Sequence, residues 1–373
     1  MIKSLSSMRR QRGALILVSS VLLLTIVTSA TLYTGRVKTL EHRILLNQQN
    51  HRLAFSAAEA GVMRALGRLS REPQWTADTN GNLDNNAQFQ ITQSRQDIDR
   101  ESSTVTLVTL TSSGSSPDGQ ANVTISEQAL IYSILANPPD APLIVAGGMN
   151  VSGSFEVTAN PNGGGTGVPL SIWTDSLVDM NNGSGTTCGL QEFQDGNCST
   201  DPYSEKGFKN LDIVDEDPDF PDDLMEYLFN VPEDQWTQLL AEADLVVSSC
   251  AGLDANTTGL VWVNGDCSIN SNTQVGSSDD PVILIVTDGD ITMNGGASLY
   301  GILFSFRKPG VTADFEIDMA GGAYTYGSVA SNHPVGNSSG TYNAVYDADV
   351  LATIDQHDAF KRVARVPGSW RDF

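Results

Sequence analysis

The sequence predicts an α+β protein with three parts in order: one long N-terminal helix, a small antiparallel sheet, and a β-rich domain of the parallel β-helix type, with a β-sandwich as the alternative. Three observations predict it. Residues 14–33 are uncharged and mostly apolar, and helical spacing continues beyond them with no proline before Pro73. Between Pro73 and residue 136, three stretches alternate apolar with polar residues. From Leu143 onward, short apolar or β-branched runs recur between glycine and asparagine turns.

The helix comes first. Twenty residues at about 1.5 Å rise cover about 30 Å, the thickness of a bilayer's hydrocarbon core. Lys3, Arg9, Arg10 and Arg12 precede the apolar run with no acidic residue among them, which by the positive-inside bias keeps the N-terminus cytoplasmic and sends the rest outward. Two simpler readings of such a start exist: an uncleaved anchor, or a secretory signal with its core over 15–27 and cleavage after Ala30. Against both stands the continuation. Val37, Leu40, Ile44, Phe55, Ala58, Val62, Leu66 and Leu69 keep the three-and-four spacing of one helix face. A single helix over 14–71 would be roughly 85 to 90 Å long.

The junction Arg9-Arg10-Gln11-Arg12-Gly13 ahead of the apolar run resembles the class III signal of type IV pilins. Together with the later segment Ala54-Phe55-Ser56-Ala57-Ala58-Glu59-Ala60-Gly61, it resembles the N-terminal region of PilX-type minor pilins. The likeness covers about the first seventy residues. It implies cleavage by a prepilin peptidase between Gly13 and Ala14, methylation of the new amine at Ala14, and a single membrane helix holding the protein in the inner membrane with its C-terminal domain in the periplasm. It further implies transfer to the extracellular pilus through the inner-membrane assembly platform, with other major and minor pilins as partners.

Two departures matter. Major pilins usually begin with Phe and carry Glu as the fifth mature residue, whereas this chain has Ala14 and Val18. An isolated charge in an apolar filament core is costly, so that glutamate is thought to neutralise a neighbour's terminal amine. Val18 cannot. A subunit lacking the carboxylate suits a position that needs no such partner, the initiating tip. The plainer reading is that Val18 is one more apolar membrane residue.

Charge is split along the chain. Residues 1–71 hold eleven Lys or Arg and two acids, Glu41 and Glu59, so the rest carries −32 of a total of −23. No basic residue stands between Arg100 and Lys206. Such a surface repels phosphate backbones, which disfavours nucleic acid as a partner. The largest basic cluster is Lys361, Arg362, Arg365 and Arg371 near the end, with Arg307-Lys308 a lesser pair.

Four cysteines, none in the helix, fit an oxidising compartment. They allow three connectivities, of which proximity favours Cys188 with Cys198 and Cys250 with Cys267. A metal site is the weaker reading, since no Cys-x-x-Cys occurs and only His333 and His357 lie beyond the helix.

Strands are expected over 87–92, 103–111 and 121–134, forming a sheet that packs on the second half of the helix. Asn137-Pro138-Pro139-Asp140-Ala141-Pro142 reads as a linker. Beyond it, brief strands are expected over 143–147, 149–151, 155–158, 260–263, 268–270, 283–287, 291–293, 299–304, 315–319 and 323–329. The division is then a leader at 1–13, the helix at 14–71, the antiparallel region at 72–136, the β-rich domain at 143–346 with a helical insert near 221–243 broken at Pro232, and a C-terminal helix and tail at 347–373.

Several clusters invite chemistry. Asp78, Asn80, Asn82 and Asp84 alternate like the start of a calcium loop, but the sixth position lacks glycine and the twelfth is Phe89; an Asn-Gly turn is the plainer reading. The acidic run Asp212, Asp215, Glu216, Asp217, Asp219, Asp222 and Asp223 could collect Ca²⁺, or be a solvated loop. Otherwise no cofactor is expected. Asp288-Gly289-Asp290 reads as a turn between strands, and the glycines over 163–167 lack the ending of a phosphate loop.

The sequence therefore points to a structural role, a PilX-type minor pilin that helps prime a pilus and presents its domain for adhesion. The alternative is a GspK-like minor pseudopilin of a type II secretion system, a family whose added domain is largely helical. A surface-displayed polysaccharide-active enzyme is the third reading. It is disfavoured because Lys and Arg, the basic helpers of such sites, are nearly absent from the expected coils.

Overall fold

The computed structural model describes residues 8–99, 104–149, 155–180, 185–198, 201–335 and 342–372, with side chains from Ala14 onward. Helix α1 (Met8–Leu69) is continuous over 62 residues, about 93 Å. It begins six residues ahead of the expected start, so Gly13 lies within helical backbone; residues 1–7 of the leader are outside the described residues.

Behind the helix, strands β1 (Thr79–Asn82), β2 (Gln88–Asp99), β3 (Thr104–Ser115) and β4 (Asn122–Ser133) form an antiparallel meander. The alternation that predicts them is the one that buries one face. Phe89, Ile91, Val108, Leu110, Val123, Ile125, Ala129 and Ile131 point at α1 and meet Ala54, Ala57, Ala58, Val62, Ala65, Leu66 and Leu69. The calcium-loop and Asn-Gly-turn readings of 78–84 are both overturned. Asn80, Gly81 and Asn82 lie in strand β1, where side chains alternate because the backbone is extended, and the turn falls later, with Asn86 at positive φ. Gly81 stands opposite Phe89, whose ring occupies the space a side chain there would need.

The presumed linker 137–142 is held tightly. Proline removes donors but leaves carbonyls, and these are taken up by side chains: Ser328 Oγ donates to Ala141 O (2.8 Å) and Asn160 Nδ2 to Asp140 O (2.8 Å). Ala141 is fully buried.

Over residues 143–345 the named strands pair in parallel, in ladders that are out of sequence order, which an antiparallel sandwich would not show. One ladder runs Leu245–Val247, Gly259–Asn264, Val282–Thr287, Ser298–Phe306 and Tyr324–Ser331, then continues onto Leu143–Val145, Ile172–Thr174 and Ile213–Val214. A second joins Cys267–Ile269, Ile291–Met293 and Ile317–Met319. A third face carries Asn343–Val345, Glu156–Thr158 and Thr186–Cys188 beyond the Tyr324 strand. Two runs of parallel strands, 143–214 and 245–331, thus meet where Val329 pairs with Leu143. Met149 makes only an isolated parallel bridge to Val335, and Val151 is outside the described residues.

The long strands are buried on both faces, which is why 282–286 reads as unbroken apolar residues rather than alternating ones. Val261, Leu284, Leu303, Val329 and Leu143 point into one core. Leu260, Ile283, Ile302 and Phe304 point into another, covered by the insert helices Leu224–Phe229 and Trp236–Ala241 and by Ala348–Gln356.

The C-terminal helix expected from 347 ends at Gln356, and residues Lys361–Arg365 form a strand antiparallel to β4. The free edge of β4 supplies the partner, and ladder hydrogen bonds outweigh the helix propensity of Lys, Arg and Ala. The chain thereby returns from the parallel region to close the first sheet, and Arg371–Asp372 adds to the same strand.

Candidate functional site

The two halves of α1 are built for different surroundings. Between Ala14 and Gly35 there is no acidic or basic residue, and the large apolar side chains are exposed: Leu15 at 74%, Val18 at 61%, Leu24 at 66%. The hydroxyls in this half need no water. Ser19 donates to Ile16 O, Ser20 to Leu17 O, Thr25 to Leu22 O, Thr28 to Leu24 O, Thr31 to Thr28 O and Thr34 to Ala30 O, each within the helix. This is a helix long and apolar enough to cross a membrane, with none of its apolar window buried by its own chain. Covering each large apolar side chain is worth about 1.5–3 kcal/mol, so leaving the segment in water costs on the order of 20 kcal/mol. Another apolar phase must cover it.

From Ala54 onward the helix is clasped by the sheet. Ala54, Ala57 and Ala58 have no exposed surface, and Glu59 faces outward, so the small residues of the Ala-Ala-Glu-Ala-Gly segment are those that let backbone approach backbone. Phe55 meets Trp370 edge to face at 6.3 Å, and Asn50 Nδ2 donates to Asp118 Oδ2 (2.7 Å) in the β3–β4 turn. At the helix end, Arg68 lies over the Trp75 ring (4.9 Å), and Arg95 donates to Pro73 O and Trp75 O (2.7 Å each). Burial holds the Arg95 guanidinium below its usual pKa.

Four members of the acidic run are engaged by the chain's own donors, whereas Glu216, Asp219 and Asp222 are exposed, as in a solvated loop. Asp212 is fully buried and accepts from the hydroxyls of Ser171 (2.7 Å), Thr187 and Ser204. Asp215 accepts from Val178 N and pairs with Lys209; Asp217 accepts from Trp173 Nε1 (2.7 Å); Asp223 caps Leu224–Phe229 through Glu226 N and also accepts from Glu233 N. Asp212, Asp215 and Asp217 thus tie segments within 171–217 to one another, and Asp223 holds the insert together. Among the described residues, no group of three or more His, Cys, Asp or Glu is placed to hold a metal ion.

The terminal basic cluster is largely neutralised. Arg362 pairs with Glu242 (3.1 Å) and Asp244 (3.4 Å) and donates to Glu242 O, so it joins the first sheet to the helical insert. Arg365 pairs with buried Glu127 (2.6 Å) and Lys361 with Asp355 (4.0 Å). Asp288, in the turn between Val282–Thr287 and Ile291–Met293, accepts from Lys308 N and pairs with its ammonium at 3.2 Å.

Cys188 bonds Cys198 and Cys250 bonds Cys267, each with Cα atoms 5.0 Å apart. His333 is buried between Ser305 Oγ (3.0 Å to Nε2) and Pro334 O (2.9 Å to Nδ1). Ala14 and Val18 sit on the exposed stretch, and none of the described residues packs on them. Asp212 and Arg362 were not distinguishable by sequence from the other charges around them, although Asp212 stands directly before the strand Ile213–Val214.

No protein-family model matches the chain, and no curated protein matches it. Among solved structures, the competence-associated pilin ComZ from Thermus thermophilus aligns over 87% of this chain and 98% of that chain, at 12% identity and a TM-score of 0.28. A superposition that loose carries no argument, and the reading of this chain rests on its own residues.

Proposed function

We propose that this chain is a minor pilin of a type IV pilus, a structural protein with no catalytic role. One observation carries the reading: a single unbroken helix has its last stretch, from Ala54, sheathed by its own sheet, while its stretch 14–35 is exposed, apolar and internally satisfied in its polar groups. The Gly13-Ala14 junction behind a basic, acid-free leader supports cleavage there by a prepilin peptidase.

In this reading the apolar half first lies in the inner membrane, with the remainder in the periplasm. It then moves among the same segments of other major and minor pilins as the assembly platform lifts it into the fibre. Exchange of lipid for apolar helix neighbours leaves burial nearly unchanged, so the step needs little energy from the segment itself. Val18 gives a neighbour's amine no carboxylate, which suits the first position at the tip, where the subunit takes part in initiation and displays its domain for adhesion.

The parallel ladders are best described as a β-solenoid whose coils are flanked by the helical insert. That strand-built domain also favours the pilus over the secretion-system alternative, whose added domain is largely helical. Deleting the gene tests the proposal: loss of surface pili with normal secretion of enzymes supports it, and normal pili with retained enzymes would overturn it in favour of the pseudopilin.

A further inference from the structure

On the solenoid's third face a row of aromatic rings ends abruptly. Tyr300 and Tyr326 are register partners and stack at 4.8 Å with planes 14° apart. Tyr324 lies 6.2 Å from Tyr326 and meets Phe193 edge to face at 5.4 Å. One coil further on, the partner of Tyr326 is Val345, too short to continue the stack. With Tyr300 covering one side of the Tyr326 ring, the other side borders a cleft of about 620 Å³ where the missing ring would have been.

The lining is selective. Besides Tyr326, the cleft is bordered by Phe193 and Tyr203, by the amide of Gln194 and by Asp347 and Asp349; none of the described residues around it is basic. The Tyr324 hydroxyl donates to Glu156 Oε2 (2.6 Å), which fixes the ring that braces Phe193. Disulfide Cys188–Cys198 closes the loop that carries Phe193, so that wall is tethered to the coil beneath it.

We propose that this cleft binds a neutral oligosaccharide. A pyranose ring offers an apolar C–H face for the exposed side of Tyr326, and hydroxyls that donate to Asp347 and Asp349 and exchange hydrogen bonds with Gln194. The volume suits two or three sugar rings, whereas a small quaternary ammonium would leave most of it empty. Anionic glycans are repelled by the two carboxylates and by a chain carrying −23 overall. The proposal extends the adhesive role above, but the binding it describes does not depend on entry into a fibre.

The test uses the full chain in detergent on an array of neutral, sialylated and sulfated glycans, with tetramethylammonium as competitor. Expected is retention on neutral glycans only, undisturbed by tetramethylammonium. Tyr326→Ala should weaken binding by about tenfold or more, and Tyr326→Phe should keep it. Should Tyr326→Ala lose its thermal transition, Tyr203→Ala on the opposite wall decides in its place. Retention of no neutral glycan, preference for anionic glycans, displacement by tetramethylammonium, or wild-type binding by the folded alanine variant would each overturn the proposal, and none of these results bears on whether the chain is a pilin.

Discussion

Gly114 of β3 lies against the backbone of Ala54 in α1, so close that a Cβ at Gly114 would overlap Ala54 O and Ala58 N. The helix and sheet meet backbone to backbone here, and this contact fixes where the sheathed half of the helix begins.

Gly114→Val should therefore push α1 off the sheet. Neither the helix backbone nor β3 can yield, so the expected cost is about 2–3 kcal/mol or more. Urea unfolding of the detergent-solubilised chain measures it, and a change under about 0.5 kcal/mol would show that the helix sits farther out.

Asp212, directly before the strand Ile213–Val214, holds three hydroxyls. Asp212→Ala strips a partner from each, and about 3 kcal/mol of destabilisation is expected. Because these carboxylates already have protein partners, adding Ca²⁺ or a chelator should leave the melting temperature unchanged. Calorimetry checks both, and a rise of several degrees with Ca²⁺ would restore the calcium reading.

His333 supplies a pH response. Desolvation is the largest influence and lowers its pKa below the ordinary 6.5, with Arg307 acting the same way and Pro334 O, Asp314 and Asp288 opposing. Below pH 6.5 the unfolded chain binds a proton that the folded chain does not, so stability falls as pH drops from 6.5 toward the depressed value. Melting curves between pH 5 and 7 should show this slope, and His333→Gln should flatten it.

Arg362 joins the returning C-terminal strand to Glu242 and Asp244 with only 13% of its side chain exposed, while its two partners are about half exposed. Solvent screening reduces the pair's worth, so Arg362→Ala should cost about 1–2 kcal/mol. Hydrogen exchange should rise first in 361–365 and 242–247; uniform exchange in both segments would mean the strand is held by its ladder alone.

What the sequence made legible follows from how many residues share a signal. The long helix and the twelve-residue strands β2 to β4 repeat their period often enough to be read, and the cysteine pairs are present as proximity favoured. Strands of two or three residues, such as Ile172–Thr174 and Ile213–Val214, are too short to show a period. The strand Lys361–Arg365 is hidden in the sequence because its pairing partner, β4, is more than two hundred residues away. The strand spacing is obscured because the ladder is joined out of chain order at Val329 and Leu143. The apolar stretch of the helix is legible as composition, whereas the aromatic cleft depends on the register of paired strands, which no single segment reveals.

The central claim is tested most directly by mass spectrometry of the mature N-terminus. The account expects a chain that begins at a methylated Ala14; a chain beginning at Thr31, or one retaining its first thirteen residues, would contradict it.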